Sequence, residues 1–268
     1  DVVYEKATEL LGRLPEDYIE EEEKVKIRKL GGMTVPMNIF LFQEIQRFQA
    51  VITKVRFTLE QLQLAIKGEV VMTAELQETL DAIYDARVPH LWENTLTGDE
   101  FSWRLPTLGL WFTSLLNRHQ QYRNWLDRGR PKSFMLNGFF NPAGLLTSMK
   151  QEVCRKHKAE RWSLNEMVYV GEVTQVERPE QLKSSPEEGI FIHGLMLEGA
   201  SFERRQNCLV ESEPKVLHSP LPVLHITAMS RAKAAQKKRS LGELYECPIY
   251  KYPDRTDKYL IAFADLPC

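Results

Sequence analysis

From Pro36 onward, Met37, Phe40, Leu41, Ile45, Phe48, Val51, Ile52, Val55, Leu59, Leu62 and Ile66 follow one another mostly at spacings of three and four. No Gly or Pro intervenes before Gly68. Apolar residues at that period form one face of an α-helix. At about 1.5 Å per residue, thirty residues span roughly 45 Å, more than the width of a small domain. Phe40, Phe48 and Phe57 are poor residues for a coiled-coil seam, so the stripe is expected to be the backbone helix of a bundle. Shorter helical patterns surround it. Val2–Leu14 is stopped by Pro15, and an acidic-then-basic stretch from Glu20 to Lys29 ends at Gly31-Gly32. A segment capped by Thr73 runs to Tyr84, and another runs from Pro106 to Leu126 and ends at Gly129.

Beyond Trp162 the period changes. Met167–Val176, Gly189–Leu197, Cys208–Val210, Lys215–His218, Val223–Thr227, Leu244–Tyr250 and Tyr259–Ala264 are short runs of β-favouring residues bounded by turn signals. Few helical patterns separate them, which predicts an antiparallel, barrel-like sheet. The protein is therefore expected to be α+β: a helical bundle with one very long helix over residues 1–160, then a β-barrel-like part over 161–268. The stretch Ser133–Thr147 sits near the change. Phe134, Leu136, Phe139 and Phe140 make it too apolar for a free linker, and Asn141-Pro142 is a helix start. It is expected to be a packed hinge, with a helix following from Pro142 to about Lys158.

Composition narrows the function classes. A net charge of −2 with pI near 6.4 gives no general attraction to nucleic acid or anionic membrane. No apolar run approaches a membrane span. The four cysteines (Cys154, Cys208, Cys247, Cys268) are widely spaced and expected to be reduced. Asp1-Val2-Val3-Tyr4 has neither an initiator Met nor a leader pattern and reads as a cut from a longer polypeptide.

Catalytic motifs are missing from the sequence. There is no GxxxxGK[ST] phosphate loop, no GxGxxG and no GxSxG elbow. Cys154 and His157 lie three residues apart, which suits a thiol–imidazole pair on a helix. No second ligand pair follows for zinc, and no orienting acid or oxyanion donor can be named. His90, His119, His193, His218 and His225 are scattered, and Glu187-Glu188 and Asp99-Glu100 flank turns. The tryptophans Trp92, Trp103, Trp111, Trp125 and Trp162 fit a core or a partner-facing surface. The basic run Ser230–Arg239, with Lys237-Lys238-Arg239, reads as a loop or short exposed helix. No catalytic, cofactor-binding or metal-binding residue is assigned. Two rivals remain on these grounds: an independent protein-binding adaptor with a β-barrel recognition surface, and a small enzyme using Cys154 or a histidine.

Several stretches, in order, resemble the C-terminal region of dynein heavy chains, axonemal ones in particular. They include Leu10-Leu11 with Leu14-Pro15, and Pro36-Met37-Asn38-Ile39-Phe40-Leu41-Phe42-Gln43-Glu44-Ile45. Gly138-Phe139-Phe140-Asn141-Pro142 and Gly144-Leu145-Leu146-Thr147 follow, then Glu188-Gly189-Ile190-Phe191-Ile192-His193-Gly194-Leu195-Met196-Leu197-Glu198-Gly199-Ala200. Leu221-Pro222-Val223-Leu224-His225-Ile226 and Tyr245-Glu246-Cys247-Pro248-Ile249-Tyr250 complete the set. Phe202 departs from the family, which usually has Trp there, and Ser230–Arg239 matches no family motif. The resemblance implies a non-catalytic regulatory and structural part of a minus-end-directed microtubule motor in cilia or flagella. It would pack on the AAA-type ring modules of the same polypeptide. ATP and Mg, microtubules and other dynein subunits are implied for the full-length motor, with no cofactor in this segment and no nucleic acid or membrane partner.

Overall fold

In the computed structural model, which describes residues 2–252 and 256–268 and so leaves Asp1 aside, the early part of the sequence is helical. Its helices are α1 (Val2–Arg13), α2 (Glu20–Lys29), α3 (Pro36–Ile66), α4 (Ala74–Tyr84), α5 (His90–Glu93) and α6 (Leu108–Arg128). Pro36, at the first position of α3, lacks the N–H that a helix start leaves unpaired anyway. The helix then runs 31 residues. The protein divides into two compact units, Asp1–Gly32 with Leu41–Asp127, and Met33–Phe40 with Arg128–Cys268.

In the first unit the apolar stripe of α3 is buried: Leu41, Phe48, Val51, Ile52, Val55, Leu59 and Leu62 have no solvent exposure. The opposite edge of α3 carries Gln43, Arg47, Ala50 and the exposed Phe57. Thr73 caps α4 by accepting the Leu76 N–H at 3.2 Å. Trp92, Trp103, Trp111 and Trp125 are all core residues rather than a displayed surface. Trp103 and Trp111 stack with centroids 4.8 Å apart, and each indole N–H donates to the other's carbonyl, at 3.3 and 3.1 Å. Burial thus leaves neither donor unpaired. Arg118 lies 4.2 Å over Trp103. Two buried carboxylates are held across the bundle. Glu44 accepts from the Tyr122 hydroxyl at 2.9 Å, and Glu23 pairs with Arg123 at 2.9 Å. Burial, with Glu44 beside it, pushes the Tyr122 phenol well above its ordinary range, so it stays a donor.

The second unit contains β1 (Ser133–Met135), α7 (Pro142–Lys156), β2 (Met167–Val173), β3 (Ile190–His193), β4 (Met196–Glu198), β5 (Ala200–Glu203) and β6 (Cys208–Glu211). It continues with β7 (His218–Pro220), β8 (Leu224–Ser230), α8 (Arg231–Ser240), β9 (Leu244–Tyr250) and β10 (Leu260–Pro267). The α+β class holds, but the sheet differs from expectation in two respects. Its six strands run in the open order β1-β3-β8-β2-β10-β9, with no closure among the described strands. It is also mixed, because β1 pairs with β3, and β10 with β2, in parallel. Two small antiparallel pairs, β4–β7 and β5–β6, stand beside it. The expected strand at Lys215–His218 is displaced to His218–Pro220, because Lys215 adopts a left-handed turn with φ of 70°.

The Ser133–Thr147 stretch lies wholly inside this unit and supplies three devices in turn. Its first residues are the edge strand β1, in register with Phe191–His193. Leu136–Gly138 then makes a 3₁₀ turn, and Asn141 caps α7 by accepting the Gly144 N–H at 3.0 Å. Phe139 is fully buried, edge-on to Phe40 with centroids 5.2 Å apart, while Phe140 is half-buried. At Gly189 the backbone turns with φ of 81° against β8. A Cβ there would lie 2.8 Å from Thr227 Cβ and 2.9 Å from its Cα. Conformation and space therefore both demand glycine.

Two stability changes should follow in denaturant titrations. Phe139→Ala should cost about 3–5 kcal/mol, with Phe140→Ala costing distinctly less. Gly189→Ala should cost roughly 2 kcal/mol or more, through strain and the clash with β8.

Candidate functional site

Helix α7 and its cap carry both members of the thiol–imidazole pair, and the structure separates their bonding. The Cys154 thiol donates to the Trp162 carbonyl at 3.2 Å. Both ring nitrogens of His157 are committed to carboxylates instead: Nδ1 lies 2.7 Å from Glu160 Oε1, and Nε2 lies 2.7 Å from Glu188 Oε1. Ionised carboxylates only accept, so this geometry suits an imidazolium donating from both nitrogens. A base for Cys154 would need a free lone pair, which this ring does not offer.

The His157 ring also stacks on Trp162 with centroids 3.9 Å apart. Lys233 of α8 sits 4.6 Å over the same indole and 3.0 Å from the second oxygen of Glu160. Glu188 is gripped twice, because its backbone carbonyl also accepts from His225 Nε2 at 2.7 Å. The end of α7, the approach to β3 and the start of α8 thus meet at one cluster. Hydrogen bonds donated to Glu160, and then to Glu188, raise the His157 pKa above 6.5 despite opposing desolvation.

Two of the other histidines make contacts that join separate segments. His193 Nδ1 lies 2.7 Å from the Ser133 hydroxyl, beside the β1–β3 pairing, and burial lowers its pKa. His119 Nδ1 meets the Tyr18 hydroxyl at 2.9 Å. Asp99 accepts from Thr97 at 2.7 Å, within its turn. Among the described residues no group of three or more His, Cys, Asp or Glu side chains is placed to hold a metal. The four cysteines are free thiols.

The basic run folds as α8, capped by Ser230, whose hydroxyl accepts the Lys233 N–H at 3.4 Å. Lys237 pairs with Glu172 of β2 at 2.6 Å, and Lys238 reaches Asp265 of β10 at 3.1 Å as well as Glu246 of β9. These lysines fasten the helix to the sheet. Sequence alone could not show this, because the acids lie on three separate strands. It also missed a cavity of about 670 Å³ lined by Met196, Leu197, Leu209, Tyr245, Ile249 and Tyr250, with His218 and Lys251 at polar positions. Its lining comes from several separate stretches of the sequence, from Asn137 to Cys268.

The pH dependence of the His157 cluster has a definite sign. A raised folded pKa means that the cluster stabilises the fold fully below the unfolded value near 6.5, and that this contribution is lost as pH rises through the folded value. The ring protons of His157 should titrate above 6.5 by NMR. Thermal stability should fall across that window, and His157→Gln should flatten the dependence.

Comparison with known proteins gives a consistent result. The family model for the C-terminal domain of dynein heavy chains matches residues 1–268. The sequence is 45% identical over 256 residues to human "Dynein axonemal heavy chain 8", a match covering 96% of this protein. It is 44% identical over 265 residues to mouse "Dynein axonemal heavy chain 5", covering 99%. It is also 43% identical over 252 residues to the "Dynein gamma chain, flagellar outer arm" of Chlamydomonas reinhardtii, covering 92%. In each case it spans about 5% of the relative's length.

Proposed function

Because this protein belongs to the family of dynein heavy-chain segments defined by their C-terminal domain, we propose that it is a non-catalytic regulatory and structural domain of an axonemal dynein heavy chain. It packs on AAA-type ring modules of the same polypeptide and modulates ATP-driven, minus-end-directed movement on microtubules in cilia or flagella. The observation that carries this reading is the family match along all 268 residues, together with relatives named as axonemal and flagellar dyneins. ATP and Mg belong to the whole motor. The residues of this segment do not fit them, since it has no phosphate-binding loop, and no acidic or His/Cys cluster suited to a metal occurs among the described residues. No chemical step is assigned to it.

The working division for this role is a helical part, residues 1–160, and a sheet-bearing part, 161–268. Helix α3, about 45 Å long by its rise, presents Phe57 at 62% exposure on its outer edge, an apolar group suited to covering by a neighbouring module. Differential contacts with two ring states would couple the domain to motor output. A coupling of about 1–3 kcal/mol changes an equilibrium roughly 5–150-fold. The adaptor reading has one observation of its own, the 670 Å³ cavity, but a binding module would not need family likeness along its whole length.

Deletion of residues 161–268 from a complete heavy chain tests the proposal. ATPase rate, stall force or run length should change severalfold while ATP binding persists. Unchanged values for all three would remove the regulatory role.

A further inference from the structure

Between Gln181 and β3 the backbone runs without helix or strand through Leu182-Lys183-Ser184-Ser185-Pro186-Glu187-Glu188-Gly189. Two lysines fasten this loop near its ends. Lys132, just before β1, donates to the Leu182 carbonyl at 3.1 Å, and Lys156, the last residue of α7, donates to the Glu187 carbonyl. Ser185 lies between the two anchor points and is exposed. It lines a cavity of about 150 Å³ together with Arg130, Lys132 and Lys156.

We infer that Ser185 is a phosphorylation site, read by a kinase that requires proline directly after the acceptor, and that the added phosphate locks this loop between β1 and α7. Three observations converge on it. First, the residue before Pro186 is biased to extended backbone, the form in which a kinase cleft takes its substrate. Second, the hydroxyl is exposed on a segment free of sheet and helix hydrogen bonds. Third, two of the three cations nearby, Lys132 and Lys156, are bonded to neutral carbonyls, while Arg130 pairs with Glu152 at 2.7 Å.

A phosphoserine carries roughly −1.5 to −2 charges and three acceptor oxygens. Its charge-assisted bonds to ammonium and guanidinium groups outcompete bonds to carbonyls. Glu152, Glu187 and Glu188 share the cavity wall and oppose it, but Glu152 is held by Arg130, Glu188 by His157, and Glu187 is exposed to solvent, which screens it. In the transfer, the Ser185 Oγ–P bond forms as the bond from the terminal phosphorus of ATP to its bridging oxygen breaks. The hydroxyl proton passes to the kinase's base, and ADP leaves.

The test treats the folded 268-residue protein with a proline-directed Ser/Thr kinase and ATP, maps the product by mass spectrometry and follows amide exchange. Phosphate should appear on Ser185 and be absent there in Ser185→Ala. Exchange across residues 182–189 should slow by about tenfold or more, the scale of one charge-assisted hydrogen bond. Lys156→Gln and Lys132→Gln, each checked for folding by circular dichroism, should weaken that slowing. Modification only after unfolding, no modification at all, or phosphorylation that leaves exchange unchanged or faster would each overturn the inference.

Discussion

An open six-stranded sheet has two faces to be covered, and most of the second unit follows from how that is done. Helix α7 lies toward one face, where Lys150 sits 5.1 Å over the ring of Tyr169 on β2. Side chains alternate along a strand, so Glu172, three residues on, points to the opposite face. There α8 is fastened through Lys237 to Glu172 and through Lys238 to Asp265, which stands in register with Glu172 across the parallel β2–β10 pairing. One face is thus covered by apolar packing and the other by matched charge. The second arrangement is the less forgiving one, because Asp265 is 6% exposed. Loss of Lys238 would leave a largely desolvated carboxylate short of its cation, which costs far more than an exposed pair contributes.

The residues that most invite a catalytic reading serve as fasteners. His157, His193 and His225 each join segments that are distant in sequence: α7 to the β3 approach, β1 to β3, and β8 to the backbone at Glu188. Placing polar side chains at such junctions satisfies groups that burial would otherwise leave unpaired.

How much was legible in the sequence depended on how local the cause was. The stripe of α3 and the Thr73 and Asn141 caps depend on periodicity and on neighbours within four residues, and all were readable. Parallel pairing was not, because Ser133–Met135 is only three residues long and its partner Phe191 lies 58 positions away. The all-antiparallel expectation gave way to a mixed sheet for the same reason, since runs of strands reveal their number far better than their order. The charge anchors of α8 were invisible as well, because Glu172, Glu246 and Asp265 are unremarkable acids until the fold aligns them.

Opening the sheet leaves two edges, and each carries a different safeguard. At one end β1 is too short to template more than a single foreign residue pair or two. At the other, β9 has Pro248 in its middle, opposite Phe263. A proline within an edge strand must turn its nitrogen away from its one neighbour, so the outer rim lacks a donor at its centre. A second copy of the protein arriving there would find a broken ladder of amides. Where like subunits stand side by side, that single missing proton removes one donor from any ladder they could form along this rim.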